Sequence, residues 1–585
     1  MHIPVNRTLG FTYDIPSSGW KGTPVYGAGV AVNSLVESLV RYSTMDRYEV
    51  FTRQQRLQNV SDKLNTLVDP ARRSKINVST YDKLARRLQD VELSAWYDPF
   101  PRFDLASEIR RTRSNKLFPV TVTQHTLSYA GMLRSFYLST LLSDNYECDS
   151  IICTTEAARV VVAELLEHVA ARVERDRAFH LRYNGRLDVI PLGIDTSAFK
   201  PRDKSKLRDE LGWPQESVII LYLGRLSFVD KADLLPLLGI VSELRKRRLK
   251  ESIYFVIAGM SRGSYITTVR NSLTELGLED CTKVIDSPIS PASLYAASDI
   301  FVSPADNIQE SFGLTVLEAM ASGVPQVVTD WNGYKEIVRH GITGFLVPTY
   351  WTECDRAICE LSGLFGEWEF DHTALAQSVA FDFEEYVNYL QALIVNRDLR
   401  KRMGQAARDL AVQRYSSPVI AMSYDALWQE LERIAKSLLF EGPKIGTYCQ
   451  PAYFKTFSHY PSAIVTDEDI LAITDAGARA LRKDRIISKE HFANRLGIID
   501  DSILLLLLNG LDPIGRHSGP RHEMAGDFTA AYLLDTALKN QQVPRDHLWR
   551  HVMWLVKYGL VRIERTDSRG SYVNSDNDSS SQSKN

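Results

Sequence analysis

Two glutamates eight residues apart stand in the segment Glu310-Ser-Phe-Gly-Leu-Thr-Val-Leu-Glu318-Ala-Met-Ala-Ser-Gly-Val-Pro325. The pattern predicts a strand over 299–304, a loop carrying Glu310, and a helix from about Gly313 that carries Glu318 one turn in. In open α/β sheets ligands lie beyond the carboxyl ends of the strands, where such a loop sits. A helix amino terminus there offers unpaired N–H groups and about half a unit of positive charge, which suits a diphosphate. Gly313 lets the backbone come close. At about 1.5 Å rise per residue, Glu318 lies roughly 7 Å further along, within reach of a ribose diol adjoining the phosphates. Glu310 faces the other side, where a hydroxyl-rich leaving sugar would lie.

Other residues could join this chemistry. Leu221-Tyr-Leu-Gly224-Arg225 ends a strand in an arginine, and Lys231 follows six residues later. Thr121-Val-Thr-Gln124-His125 ends an apolar strand in a histidine. Val25-Tyr-Gly27-Ala-Gly29 reads as a tight turn after the first strand. Arginines at 102–113 and 172–186 form a candidate face towards anionic lipid or acceptor. The six cysteines include no C-x-x-C pair, and His517, His522, Glu523 and Asp527 fit no zinc spacing, so no metal site is assigned.

The elements that must hold these groups are legible as a rhythm. From Leu187 to Pro348, candidate strands at Asp188–Pro191, Val218–Gly224, Ile253–Gly259, Lys283–Ser287, Asp299–Pro304, Gln326–Asp330 and Gly344–Pro348 alternate with helical stretches. That is the pattern of a doubly wound parallel sheet. The first 185 residues repeat it more loosely, with strands at Thr8–Asp14, Tyr48–Thr52, Phe118–Gln124 and Ser150–Thr154 and helices at Gly29–Tyr42 and 156–173. Helical spacing recurs at 384–395, 397–413 and 417–438. Beyond Pro443 it returns in Asp467–Leu481, Ser488–Leu496, Phe528–Lys539 and His547–Tyr558.

At 585 residues the chain exceeds a single core, and 44% hydrophobic with 24% charged residues is a globular composition. A net charge of −3, and equal numbers of basic and acidic residues from Glu441 to Asn585, argue against nucleic acid as a partner. The longest notable apolar run, Ile503–Leu508, is far short of a membrane span, and the amino terminus carries no export signature, so a cytoplasmic location is expected.

The string from Glu310 to Pro325, E-x-F-G-L-x-x-x-E-A-M-A-x-G-x-P, resembles the signature of family 4 of the retaining glycosyltransferases, which have the GT-B fold. The resemblance covers about residues 8–438. Val189-Ile-Pro-Leu-Gly-Ile-Asp195, Phe199 and Pro201 look like the linker that opens that fold's second domain. It implies a metal-independent hexosyltransferase that moves a sugar from a UDP-sugar or GDP-sugar to an acceptor hydroxyl, with no cofactor. In the family an arginine and a lysine placed like Arg225 and Lys231 hold the β-phosphate, although the spacing here is one residue longer than usual. Glu310 would orient the sugar and Glu318 the ribose, with Gly313 and Leu314 against the phosphates. Gly27 and Gly29 would form the glycine turn near donor and acceptor, and His125 would line the reaction centre. Asn332-Gly333 stands where the family often has two glycines.

The implied organisation is an acceptor domain over 1–190, a donor domain over 191–416, a helix over 417–440 returning to the first, a mostly helical extension over 441–567 and a disordered tail over 568–585. The competing reading is a non-catalytic nucleotide-sugar-binding or scaffold subunit on the same fold. The acceptor (saccharide, lipid or small molecule), peripheral membrane contact and a homo-oligomer are left open.

Overall fold

The computed structural model describes residues 7–14, 27–229, 231–261, 264–286, 289–353, 368–444, 452–483, 485–487, 491–495, 498–512, 528–540 and 543–564. The chain divides into two compact units, Met1–Thr447 and Tyr448–Asn585.

The first unit holds two parallel sheets. One has seven strands: β1 (Thr8–Thr12), β2 (Arg47–Thr52), β3 (Ile76–Thr80), β4 (Ala95–Asp98), β5 (Val120–Gln124), β6 (Ser150–Cys153) and β7 (Arg186–Val189), ordered 3-2-1-4-5-6-7. Its strands are covered on both faces, so successive residues enter different cores. Tyr97 packs with Leu9, Phe11 and Trp428, while its neighbour Trp96 packs with Phe51, Val120 and Ile151. The second sheet has β8 (Val218–Leu223), β9 (Ile253–Ala258), β10 (Thr282–Ile285), β11 (Ile300–Ser303), β12 (Gln326–Thr329) and β13 (Gly344–Val347), ordered 10-9-8-11-12-13. Ile219 and Leu221 face one of its cores, and Val218, Ile220 and Tyr222 the other. Two Rossmann-like sheets of this kind are the GT-B class of fold.

Two differences from the sequence reading concern the first sheet. β3 and β4 are additional strands; Ala95-Trp-Tyr-Asp is short and has no β-branched residue to mark it. The strand read at Asp188–Pro191 as opening the second alternation runs over Arg186–Val189 and pairs in parallel with β6 of the first sheet. The Ser150 hydroxyl donates to Asp188 at 2.7 Å across that pairing.

After the second sheet the helix Ser417–Ala435 packs on the helix Gly27–Tyr42 and buries Ile420, Tyr424, Trp428 and Leu431 in the first sheet's core. The Trp428 indole donates to Thr121 Oγ1 at 3.0 Å. Asp425 accepts from the Ser43 hydroxyl and the Thr44 N–H, both at 2.6 Å. The chain therefore returns to where it began.

The second unit is mostly helical, with Asp475–Leu481, Asp501–Leu511, Ala530–Asn540 and Arg545–Lys557 around a core that includes Leu504, Leu508, Leu534, Leu548, Val552 and Leu555. It also contains a three-stranded antiparallel sheet with Ile470–Ile473 between Phe528–Thr529 and Val561–Glu564. The single helix expected over Asp467–Leu481 is thus a strand followed by a helix, divided where Thr474 Oγ1 accepts from the Gly477 N–H at 3.1 Å. The tail over 568–585 and the His517, His522, Glu523 and Asp527 group lie outside the described residues. Among the described residues no helix is long and apolar enough to cross a membrane.

Candidate active site

The chemistry-bearing residues gather at the carboxyl ends of β8 and β11. Gly224, just past β8, is given room by Gly259, just past β9: the φ of Gly259 is +153°, and a Cβ there would lie 1.7 Å from the Gly224 carbonyl oxygen. The chain then continues through half-buried Arg225 to Lys231. Lys231 Nζ reaches Glu310 Oε2 at 2.9 Å, so the groups implied for the phosphate and for the sugar meet directly. Burial pushes the Glu310 carboxyl up, but the Lys231 ammonium, the Phe312 N–H and Arg225 together hold it below the usual carboxylate range.

After β11 the loop enters the helix Leu314–Ala321 through Gly313, the N-cap, at φ +111°. Only glycine fits: a Cβ would stand 2.4 Å from Tyr334 Cε1, and the Tyr334 hydroxyl is fixed 2.9 Å from Ser303 Oγ. The cap has no side chain of its own, so no side-chain cap answers the first N–H groups of this helix, which starts at half-buried Leu314. Glu318 lies in the helix, 9% exposed, and accepts from the Tyr295 hydroxyl at 2.9 Å. Burial raises its pKa from 4.5 to about 7, against the Tyr295 hydrogen bond and the field of Lys231. Two carboxylates of one helix and its approach are thereby separated in acidity, Glu310 ionised by its cation and Glu318 near half-protonated at neutral pH.

His125 ends β5, half-buried, with Nε2 3.1 Å from the Pro99 carbonyl. Burial lowers its pKa from 6.5 to about 4, so the ring is neutral at pH 7. Nε2–H must donate to that carbonyl, which leaves Nδ1 as the acceptor. The His125 loop is joined to the second sheet's side: Gln309 Oε1 accepts from Ser128 Oγ at 3.0 Å, Ser128 Oγ lies 3.1 Å from His372 Nε2, and Tyr129 stacks on His372 at 4.9 Å. Nearby, the Thr155 hydroxyl donates to the Ser311 carbonyl at 2.9 Å. The Glu336 carboxylate accepts from the N–H groups of Glu156 and Ala157, at 2.8 and 2.7 Å, at the start of the helix Glu156–Arg177.

Gly27 and Gly29 lie in the first turn of the helix Gly27–Tyr42, while Val25 and Tyr26, read together with them as a turn, lie outside the described residues. Ala31, a little further along this helix, packs into the second sheet's core. The arginines at 102–113 and 172–186 are extensively paired: Arg110 with buried Asp149 at 2.5 Å, Arg102 with Asp98 at 3.1 Å, Arg111 with Glu108 at 3.0 Å, Arg172 with Asp176 at 2.5 Å, and Arg186 with Asp188 at 2.6 Å.

Sequence reasoning passed over Tyr295, which holds Glu318, and the run Asp306-Asn307-Ile308-Gln309 before Glu310. Asp306, 6% exposed, accepts from the Asp233 N–H at 3.1 Å, and burial raises it to about 7. A run of carboxylate and amide residues closing on a buried strand was the available signal.

Residues 203–362 match the family model described as Glycosyl transferases group 1. The D-inositol 3-phosphate glycosyltransferase of Mycolicibacterium gilvum is 31% identical over 229 residues, 37% of this chain and 48% of that protein. The protein of the same name from Thermobispora bispora is 27% identical over 246 residues, 40% of this chain and 55% of its own. The chain thus spans about half the length of the curated relatives it matches. Among solved structures, Anabaena HepE in complex with UDP is similar over 74% of this chain and 100% of its own, at 17% identity and a TM-score of 0.48.

Proposed function

We propose that this protein is a retaining glycosyltransferase that moves a hexose-type sugar from a nucleoside diphosphate to an acceptor hydroxyl without a metal ion. The observation that carries the reading is the Lys231–Glu310 contact beside Arg225, at the carboxyl ends of the strands and next to a helix amino terminus capped by glycine. The group 1 match over 203–362 encloses all of these residues.

Each group then has a task. The departing nucleotide gains negative charge as the glycosidic bond breaks, and Arg225, Lys231 and the N–H groups after Gly313 meet that charge with fixed positive ends. Glu310, kept ionised, accepts hydroxyls of the sugar and orients it. Glu318, when ionised, accepts from the ribose. Neutral His125 offers Nδ1 from the first sheet's side. The acceptor hydroxyl attacks the face from which the nucleotide leaves, and the leaving diphosphate takes its proton, so no protein nucleophile is needed.

A thermal-shift panel of UDP, GDP and ADP, followed by nucleotide release from the matching sugar donors with and without EDTA, tests this. A nucleotide that binds the folded state raises its stability by RT ln(1 + [L]/Kd). Stabilisation and EDTA-resistant turnover are expected; stabilisation without turnover in any donor and acceptor screen would favour a binding or scaffold subunit instead.

A further inference from the structure

Asn307 is wholly buried, and its amide is shared between the two loops that carry the reactive pair. Nδ2 donates to the Lys231 carbonyl at 2.5 Å. Oδ1 accepts from the N–H groups of Gln309 at 2.9 Å and Glu310 at 3.1 Å. Its own carbonyl accepts the Trp331 indole N–H at 2.7 Å. One side chain therefore ties the backbone of the lysine to the backbone of the glutamate with which that lysine pairs.

The need for such a tie follows from the covalent layout. Lys231 follows β8 and Glu310 follows β11, 79 residues later, so no short stretch of chain sets their separation. Their side chains are long, and an ion pair between them fixes neither backbone. The Lys231 N–H bonds the Ser227 carbonyl at 3.2 Å, which closes the loop locally without relating it to Glu310. The Asn307 amide supplies that relation at Lys231 itself, with a donor on one side and an acceptor on the other; the neighbouring Asp306 carboxylate, accepting from the Asp233 N–H at 3.1 Å, joins the same two loops two residues further along. Trp331, reaching from the end of β12, holds Asn307 in turn.

We propose that Asn307 is a positioning residue of the transfer reaction, setting Lys231 against Glu310 from behind the site. This rests on the glycosyltransferase reading of that site. The charged and polar groups facing Glu310 are Lys231, Arg225, the Phe312 N–H and Tyr334. If Asn307 acts through Lys231, its loss must weaken the lysine's hold on the Glu310 carboxyl, and burial then acts with less opposition.

The test follows the Glu310 titration in the ligand-free protein by 13C NMR of carboxyl-labelled glutamate, with the resonance identified by its loss in Glu310→Gln. In Asn307→Ala the Glu310 titration is expected to move to higher pH, in the same direction as in Lys231→Met. With a nucleotide-sugar donor, kcat should fall at least tenfold while the donor KM changes less than threefold. Adding Asn307→Ala to Lys231→Met should cost less than a further threefold. Should Asn307→Ala not fold, Trp331→Phe removes the bond to the Asn307 carbonyl and should give a smaller shift of the same sign. A Glu310 titration unchanged from the wild type, or losses that simply multiply in the double variant, overturns the proposal while an active wild type keeps the transfer reading. An inactive wild type whose Glu310 titration still moves overturns the transfer reading and leaves the Asn307–Lys231–Glu310 linkage standing.

Discussion

Replacing Glu318 by glutamine should stabilise the protein at pH 8 while weakening its hold on nucleotide. The glutamine keeps the shape and still accepts from Tyr295, but carries no charge into a site only 9% exposed. Burial lifts the Glu318 pKa from 4.5 to about 7, and at ~1.4 kcal/mol per unit this is a cost on the order of 3 kcal/mol for the ionised form. The sign follows from linkage: between pH 4.5 and about 7 the folded state holds a proton that the unfolded chain has released. Stability from this group is therefore full below the ordinary glutamate pKa and falls as pH rises through that window. Glutamine does not titrate, so the advantage of Glu318→Gln over the wild type should grow by about 3 kcal/mol between pH 4 and 8. Urea unfolding followed by tryptophan fluorescence at pH 4, 6 and 8 measures that difference, and calorimetry with the preferred nucleotide measures binding. Parallel stability curves, with a constant offset across the range, would refute the burial argument. Unchanged nucleotide affinity at pH 8 would refute the ribose role separately.

Arg225→Ala should lower kcat/KM by about 2–4 kcal/mol of transition-state stabilisation, roughly 30- to 1000-fold, and wild-type turnover should be unaffected by EDTA; rescue by magnesium after chelation would contradict this. His125 is neutral well below pH 6, so the pH–rate profile should show no inflection near 6.5 that His125→Gln removes, as initial rates across pH 5–8 will tell. Trp428→Ala should cost about 3–5 kcal/mol by emptying a buried site that joins the returning helix to β4 and β5, read as a lowered urea midpoint. Removing residues 448–585 should leave nucleotide binding and slow donor hydrolysis intact, since those residues form a compact unit of their own; loss of nucleotide binding in a folded truncation would count against it.

The second sheet was legible almost strand for strand because it is buried on both faces, and Val218-Ile-Ile-Leu-Tyr-Leu or Ile253-Tyr-Phe-Val-Ile-Ala can hardly be anything else. β4 escaped notice because four residues are too few to show a period, even with the strand-forming Trp96 and Tyr97 at their centre. The Ile470–Ile473 strand was absorbed into a helix because a short apolar run has no period to distinguish it. At the site, the sequence pattern offered Glu310 and Glu318, and the resemblance Arg225 and Lys231, as candidates; neither showed the Lys231–Glu310 contact or the burial that separates the two carboxylates in acidity. Tyr295 and Asn307 come from remote stretches and earn their places only through packing, which one-dimensional patterns do not express.

The Glu336 carboxylate that caps the helix Glu156–Arg177 belongs to the side of the molecule built on the other sheet. Parting the two sides would leave that helix its own Thr155 cap on the Ala158 N–H but take away the carboxylate that answers its first two N–H groups. The first turn of that helix, one strand-end away from the His125 loop, thus feels directly where the other sheet lies.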